Sequence, residues 1–192
     1  MKFYLYLFFA IGFLNAQSSN LAKNSPISVL SSIKTNILEE SIDISKFDPT
    51  WVDSLNLSLP CYKVPVPKRS MRLPNAPRSY RNGTHRGVDF FANWGTPVRS
   101  VADGVIVRSD QNYEEVPADF RENLLQSTTK IGSTPSDIFN SVLLGKSVFI
   151  DHGFDLIPGF RTISIYAHLS HIENEVVPGA IIKKGELIGK SG

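Results

Sequence analysis

From residue 87 onward the chain is a succession of short runs rich in valine, isoleucine and phenylalanine, with glycines between them. These residue types favour β-strands, and glycine-marked turns at short spacing are typical of all-β domains. The runs cover residues 87–92, 97–102, 104–109, 147–151, 162–168, 180–182 and 186–188. Asp103-Gly104 predicts a two-residue hairpin between two of them, and Lys184-Gly185 predicts another turn. The sequence therefore predicts a mainly β fold: an antiparallel sheet, sandwich or barrel.

The run at residues 162–168 alternates apolar and polar side chains. Alternation with period two indicates a strand with one buried face and one open face. The predicted core side is Ile163, Ile165 and Ala167, and the predicted open polar side is Thr162, Ser164, Tyr166 and His168. A histidine that ends the polar side of a strand can reach a groove, although a surface histidine without a task remains the alternative.

Residues 110–146 interrupt the strand pattern. Residues 117–126 carry Phe120, Leu124 and Leu125 at helical spacing, which predicts one helix. Residues 135–144 predict a second helix, with Ser133 or Thr134 as its cap. We interpret the segment as a helical hairpin inserted between two strands, either functional or packed on itself.

The N-terminus has the order of a secretory signal peptide. Lys2 is the only charged side chain before residue 23, and residues 3–14 are almost wholly apolar. That run is too short for a membrane span, which needs roughly 20 residues. The small residue Ala16 then precedes a polar stretch, so residues 1–16 are predicted to be cleaved. The expected product is secreted or periplasmic, without a stable membrane span; an uncleaved anchor is the alternative.

Residues 17–75 form a predicted lead-in or pro-segment before a β core at residues 76–192. Apolar residues at helical spacing within residues 29–38 allow a short amphipathic helix there. Residues 54–88 contain no acidic residue, five prolines and seven basic residues: Lys63, Lys68, Arg69, Arg72, Arg78, Arg81 and Arg86. Proline removes backbone donors, so this stretch is predicted to be extended. It either contacts an anionic polymer of the cell envelope or is a solvated linker, and we favour the linker.

Composition excludes several classes of protein. The formal net charge of +2 is too close to neutral to indicate a nucleic-acid-binding protein. A single cysteine, Cys61, excludes an internal disulfide and a cysteine-rich zinc module, and we expect a half-buried structural thiol. The chain has no His-Glu-x-x-His helix motif, no phosphate-binding or dinucleotide-binding glycine loop, and no Gly-x-Ser-x-Gly elbow.

His85 and Asp89 form a His-x-x-x-Asp pair. On a straight strand these positions share a face but lie about 13 Å apart. Zinc ligands sit about 2 Å from the ion, so the chain has to bend if both bind one metal, and Gly87 is placed to allow the bend. Of the other histidines, His152 is predicted to be structural and hydrogen-bonded to backbone, and His171 to be an exposed loop residue.

Six segments from residue 85 to residue 192 resemble the lysostaphin/LytM-like zinc endopeptidases, in the order in which that family carries them. They begin with His-Arg-Gly-Val-Asp-Phe at residues 85–90 and include Tyr-Ala-His-Leu-Ser at residues 166–170. The other four lie at residues 95–98, 102–106, 148–153 and 183–189. The resemblance covers slightly more than the C-terminal half of the chain and does not extend to residues 17–75.

The resemblance implies a fold, an activity and a site. The fold is the duplicated hybrid motif, an antiparallel β core with a groove, here with the helical hairpin inserted. The activity is hydrolysis of peptide cross-links in bacterial peptidoglycan. One Zn²⁺ would be held by His85 and Asp89, and His168 would be a catalytic histidine that orients or deprotonates water or stabilises the oxyanion. Tyr80 is a further candidate assistant. Peptidoglycan peptide is the expected partner, and the oligomeric state is left open.

The sequence also departs from this family. The family completes its site with a His-x-His motif after the last glycine turn, and this chain stops at residues 189–192, where the preceding loop should begin. We therefore interpret the sequence as incomplete at its C-terminus, without the third zinc ligand and the second catalytic histidine, and expect impaired activity. The alternative is a non-catalytic module that binds peptidoglycan or activates an amidase. A carrier or lipoyl-like domain is a third class, against which the His-x-x-x-Asp pair and the signal peptide speak.

Overall fold

The computed structural model describes residues 5–12 through their backbone, residue 48, and residues 50–192. Over these residues the protein is mostly antiparallel sheet, which confirms the predicted mainly β class. The described residues form eleven strands, eight of them from residue 87 onward, where seven were predicted: β1 (Leu5–Gly12), β2 (Pro77–Arg78), β3 (Gly83–Thr84), β4 (Gly87–Phe90), β5 (Pro97–Arg99), β6 (Gly104–Ser109), β7 (Val148–Asp151), β8 (Arg161–Ala167), β9 (Leu169–Ile172), β10 (Ile181–Ile182) and β11 (Leu187–Ser191). The helices are α1 (Thr50–Asp53), α2 (Ala118–Ile131), α3 (Ser136–Ile138), a π-helical turn (Phe139–Leu143) and two 3₁₀ turns (Ser70–Arg72 and Ser79–Arg81).

The strands form three sheets. The largest has six strands in the order β10-β6-β7-β8-β1-β4, the second has the order β5-β11-β9, and β2 pairs with β3 alone. Strand β1 lies between β8 and β4, antiparallel to both, with Tyr6 opposite Ala167 on one side and Asp89 on the other. These eight residues belong to the segment predicted to be a signal peptide. In the full chain they form the strand between β4, which carries Asp89, and β8, which precedes His168.

The two glycine turns are corners between sheets, so the predicted Asp103-Gly104 hairpin is wrong. Strand β5 belongs to the three-stranded sheet and β6 to the six-stranded sheet, and the same change of sheet separates β10 from β11. The two corners meet side by side, because the Asp103 carboxylate accepts hydrogen bonds from the Lys184 amide at 2.7 Å and from Lys183 Nζ at 3.0 Å. A glycine between two apolar runs indicates a turn but does not identify the strand with which each run pairs.

Both sides of β8 are covered, so the predicted open polar side is wrong. Tyr166 and Ser164 are fully buried in the main core. The Tyr166 hydroxyl accepts a hydrogen bond from the Val101 amide at 2.8 Å, and the Ser164 hydroxyl lies 2.8 Å from Nε2 of His152. Polar side chains can occupy a core when their hydrogen bonds are satisfied there. Because these partners come from distant parts of the chain, the alternation alone does not reveal them.

The other side of β8 is covered by the insertion. Ile165 and Ala167 pack with buried side chains from the second half of the insertion, namely Phe139, Leu143 and Leu144. The predicted helical hairpin is present, with a longer first helix and a second arm that changes from α to π geometry at Phe139. Neither predicted cap forms at α3, where Pro135 precedes the helix, and the Thr134 hydroxyl instead donates to the Arg81 carbonyl at 2.9 Å.

Residues 57–75 are attached to the core. The Ser58 amide donates to the Val101 carbonyl and the Arg99 amide donates to the Pro60 carbonyl. Cys61 is fully buried rather than half-buried, and burial raises the pKa of its thiol to about 11. The possible helix within residues 29–38 lies outside the described residues. Among the described residues, each helix is too short or too polar to cross a membrane.

Several side chains of the basic stretch have internal partners. Arg81 is only 4% exposed, and its guanidinium donates to the Thr84 carbonyl at 2.5 Å and lies over the Phe139 ring. The guanidinium of Arg86 lies 4.7 Å from the centre of the same ring. The interpretation of residues 54–88 as a solvated linker is therefore wrong for Arg81, whereas Arg86 remains exposed.

Candidate functional site

His85 and Asp89 meet, as a bend between them would require. Strand β4 begins at Gly87, so His85 precedes the strand, where its amide donates to the Ala76 carbonyl at 2.7 Å. The Asn75 amide donates to the His85 carbonyl at 2.8 Å, which fixes the backbone from the other side. Nε2 of His85 then lies 2.7 Å from Oδ1 of Asp89, against about 13 Å on a straight strand.

The orientation of the His85 ring is set by the backbone carbonyl of Leu73. Nδ1 of His85 lies 3.0 Å from that oxygen, and because a carbonyl can only accept, Nδ1 carries the hydrogen. Nε2 is the nitrogen that faces the Asp89 carboxylate. At 2.7 Å the two atoms are at hydrogen-bond distance. Zinc ligands about 2 Å from a tetrahedral ion lie roughly 3.3 Å apart, so this pair would have to open slightly to hold one.

This pair fits two ligands of a zinc ion. Imidazole nitrogen and carboxylate oxygen are both zinc donors, and metal-bound histidines commonly donate their other N–H to a backbone carbonyl, as His85 does. Both residues are buried, at 3% exposure each. Within residues 50–192, however, no group of three His, Cys, Asp or Glu side chains is placed to hold a metal.

His168 follows β8 at a corner where the chain passes from the six-stranded to the three-stranded sheet. Its φ of 55° is in the left-handed region, and its amide donates to the Leu144 carbonyl at 2.9 Å. Burial lowers the pKa of its imidazole to about 3, with a further contribution from the positive charge of Arg121 on α2. The side chain is therefore neutral at neutral pH, and both the backbone position and the charge environment come in part from the insertion.

One cavity brings together three of the predicted residues, His85, His168 and Tyr80, whereas Asp89 is not among the residues that line it. It is lined by Arg78, Tyr80, His85, Arg121, Leu125 and His168, among others. Its volume is about 70 Å³. Pockets that take organic ligands commonly measure about 300–1,000 Å³, so this cavity alone is small for a peptide. The insertion covers the site, because α2 supplies Arg121 and Leu125 to the wall.

Two side chains of this site were missed by the sequence analysis. Arg78 donates from Nη2 to Oδ2 of Asp89 at 3.2 Å, and the positive charge of Arg121 contributes to the lowered pKa of His168. The basic stretch contained Arg78, but no spacing distinguished it from its neighbours. His152 is structural, as predicted, with Nδ1 2.6 Å from the Asp103 carbonyl. His171 is exposed, as predicted, but lies within β9.

Comparison of the whole chain with models of protein families gives no match, and comparison with curated proteins gives none.

Proposed function

We propose that this chain is a zinc metalloendopeptidase of the lysostaphin/LytM-like type, secreted or periplasmic, acting on peptide cross-links of bacterial peptidoglycan. The observation that carries the proposal is the meeting of His85 and Asp89, with Nδ1 of His85 engaged by the Leu73 carbonyl and Nε2 directed at the carboxylate. His168, the third residue of the resemblance, lines the same cavity as His85. The family's duplicated hybrid motif is part of this proposal, and the antiparallel sheets are compatible with it.

In this proposal each residue has a distinct task. His85 and Asp89 would hold one Zn²⁺, and a bound zinc ion lowers the pKa of a coordinated water and polarises the scissile carbonyl. His168, whose pKa is lowered by burial and further by the charge of Arg121, is neutral and available to hydrogen-bond the attacking water or the developing oxyanion. Tyr80, on the 3₁₀ turn that lines the cavity, would be a second hydrogen-bonding residue in this proposal.

A non-catalytic module that docks on peptidoglycan or activates an amidase is the second candidate. Two observations favour it: the described residues contribute two candidate ligands rather than three, and the cavity beside His85 holds about 70 Å³. A docking module needs neither a complete metal centre nor an open cavity, so both observations are compatible with it.

Zinc binding and cleavage by the full chain test the proposal together. Purified protein is stripped of metal and titrated with Zn²⁺ against a chromophoric chelator, and purified cross-linked muropeptides are incubated with it and examined for new amino groups. We expect one equivalent of zinc and metal-dependent cleavage. His85→Ala should abolish both, whereas His171→Ala, a change at an exposed histidine, should leave both unchanged.

The outcomes separate the two candidates. Cleavage that continues in chelator, or zinc binding that survives His85→Ala, contradicts the metallopeptidase proposal. Binding of the chain to peptidoglycan sacculi without zinc and without cleavage supports the docking module instead.

A further inference from the structure

Arg78 contacts the candidate metal pair through Asp89, and the proposed function gives it no role. It ends β2, where Arg78 lies opposite Gly83 in the hairpin with β3. Its guanidinium donates from Nη1 to the Met71 carbonyl at 3.1 Å and from Nη2 to Oδ2 of Asp89 at 3.2 Å. The arginine is thus fixed by its backbone at one end and by a carbonyl at the other, and it presents one donor to the carboxylate.

The two oxygens of Asp89 have different partners. Oδ1 faces Nε2 of His85 at 2.7 Å, and Oδ2 faces Arg78. The side chains of Arg78 and Asp89 are 11% and 5% exposed, so water competes little for this contact. A carboxylate held in this way cannot turn to offer both oxygens to one ion.

We propose that Arg78 is a positioning residue for the metal centre, which makes Asp89 a one-oxygen ligand through Oδ1 and keeps it directed at the ion shared with His85. The inference rests on the proposed function, because it concerns the zinc that His85 and Asp89 would hold. Groups that hydrogen-bond a ligand typically change metal affinity by about 10–100-fold when they are removed.

The charge of Arg78 acts in the opposite direction, because a guanidinium repels a divalent cation. Two variants separate the two effects. Arg78→Met keeps most of the aliphatic length and removes the charge and the donors, whereas Arg78→Lys keeps the charge but loses the planar arrangement that reaches Met71 and Asp89 together. If positioning dominates, both variants bind metal more weakly; if repulsion dominates, Arg78→Met binds more tightly.

The test is metal binding by the full chain, with Arg99→Met as the matched control. Arg99 lies in the three-stranded sheet and donates to the Gly185 carbonyl at 3.0 Å. Within the part of the chain that the structure describes, it makes no hydrogen bond to Asp89 or His85. Zinc affinity is measured by competition with a chromophoric chelator, and the visible absorption of the Co²⁺-substituted protein reports the coordination number. We expect a 10–100-fold weaker zinc affinity in both Arg78 variants, and a weaker cobalt absorption as Asp89 becomes free to bind through both oxygens.

Circular dichroism and thermal unfolding of the metal-free variants show whether they fold. If Arg78→Met does not fold, Arg78→Lys, which keeps the charge opposite Asp89, carries the test. Unchanged zinc affinity and an unchanged cobalt spectrum in a folded variant overturn the inference but not the proposed function. Tighter zinc binding by Arg78→Met likewise overturns only the inference. A parent chain that binds neither metal overturns the proposed function and this inference with it.

Discussion

The protonation of His168 depends on what covers it. Burial and the charge of Arg121 hold the pKa of the imidazole at about 3, although general bases work best with a pKa near the working pH. Arg121 belongs to α2, and the His168 amide is held by the Leu144 carbonyl at the end of the insertion. Displacement of the insertion would therefore expose His168 and raise its pKa toward the range in which it can accept a proton.

The same pKa predicts a loss of stability in acid. An unfolded histidine titrates near pH 6.5, so between about pH 6.5 and pH 3 the unfolded chain binds more protons at this residue than the folded chain. The free energy of unfolding should therefore fall as the pH falls through this window, by at most about 1.4 kcal/mol per pH unit for one proton. Urea unfolding at a series of pH values between 7 and 5 measures the slope.

His168→Gln removes the titrating group, so its slope should be shallower than that of the parent chain by up to one proton. His171→Gln, at an exposed position, should keep the parent slope. The lowered pKa of His152 contributes in the same direction and is present in all three proteins, so it cancels in the comparison. Equal slopes for His168→Gln and the parent would show that His168 does not titrate differently on folding.

At the scale of elements, the insertion and β8 form one packed unit. Leu144 is 1% exposed and belongs to the cluster that covers Ile165 and Ala167. Leu144→Ala should lower the free energy of unfolding by about 2–5 kcal/mol, because it removes buried methyl groups and leaves a cavity. Ile131→Ala, at a 67% exposed position of α2, should change it by no more than about 0.5 kcal/mol. Urea unfolding measures both, and similar small losses would mean that the insertion does not pack as the structure shows.

The strands could be predicted from the sequence, and their partners could not. Short β-branched and aromatic runs located most of the strands after residue 87, because local preference and burial act there in the same direction. The hairpin at Asp103-Gly104 was predicted from local geometry, yet the tertiary contacts of Asp103 with Lys183 and Lys184 make it a corner between sheets. The burial of Ser164 and Tyr166 depends on hydrogen-bond partners far away in the chain.

The candidate site was also predicted from the sequence only in part. A bend between His85 and Asp89 was predicted on the condition that both bind one metal, because a straight strand keeps the two residues too far apart for one ion. Arg78 could not be assigned in that way, since its contact with Asp89 depends on the hairpin of β2 and β3 and on the Met71 carbonyl. The seven basic residues of the stretch at residues 54–88 were visible in the sequence, but charge without geometry did not distinguish a solvated arginine from one that contacts Asp89.

At the scale of the whole molecule, β1 is the strand on which β4 depends. Among the described strands of the six-stranded sheet, β4 pairs with β1, and β1 in turn pairs with β8. Removal of residues 1–16 should therefore leave the backbone groups of β4 without this partner and expose one edge of β8. We expect amide hydrogen exchange in Gly87–Phe90 to become faster in the shortened chain, because exchange protection follows local stability.

The three-stranded sheet is the internal control for this experiment. Strands β5, β9 and β11 pair only with one another among the described strands, so their protection should change less. Unchanged protection of β4 in the shortened chain would mean that another segment takes the place of β1 or that β1 contributes little to the sheet.

The position of β1 in the sheet has a further consequence for the order of folding and export. A secretion leader has to be recognised as an unpaired apolar segment, and the same eight residues complete the sheet once they are paired. If residues 1–16 are the leader that the sequence predicts, folding and export need the same segment, and the faster of the two decides whether it is paired or cleaved. A chain that folds first would hold the leader in the sheet, and a chain that is cleaved first would carry Asp89 on a strand that lacks β1 as its partner.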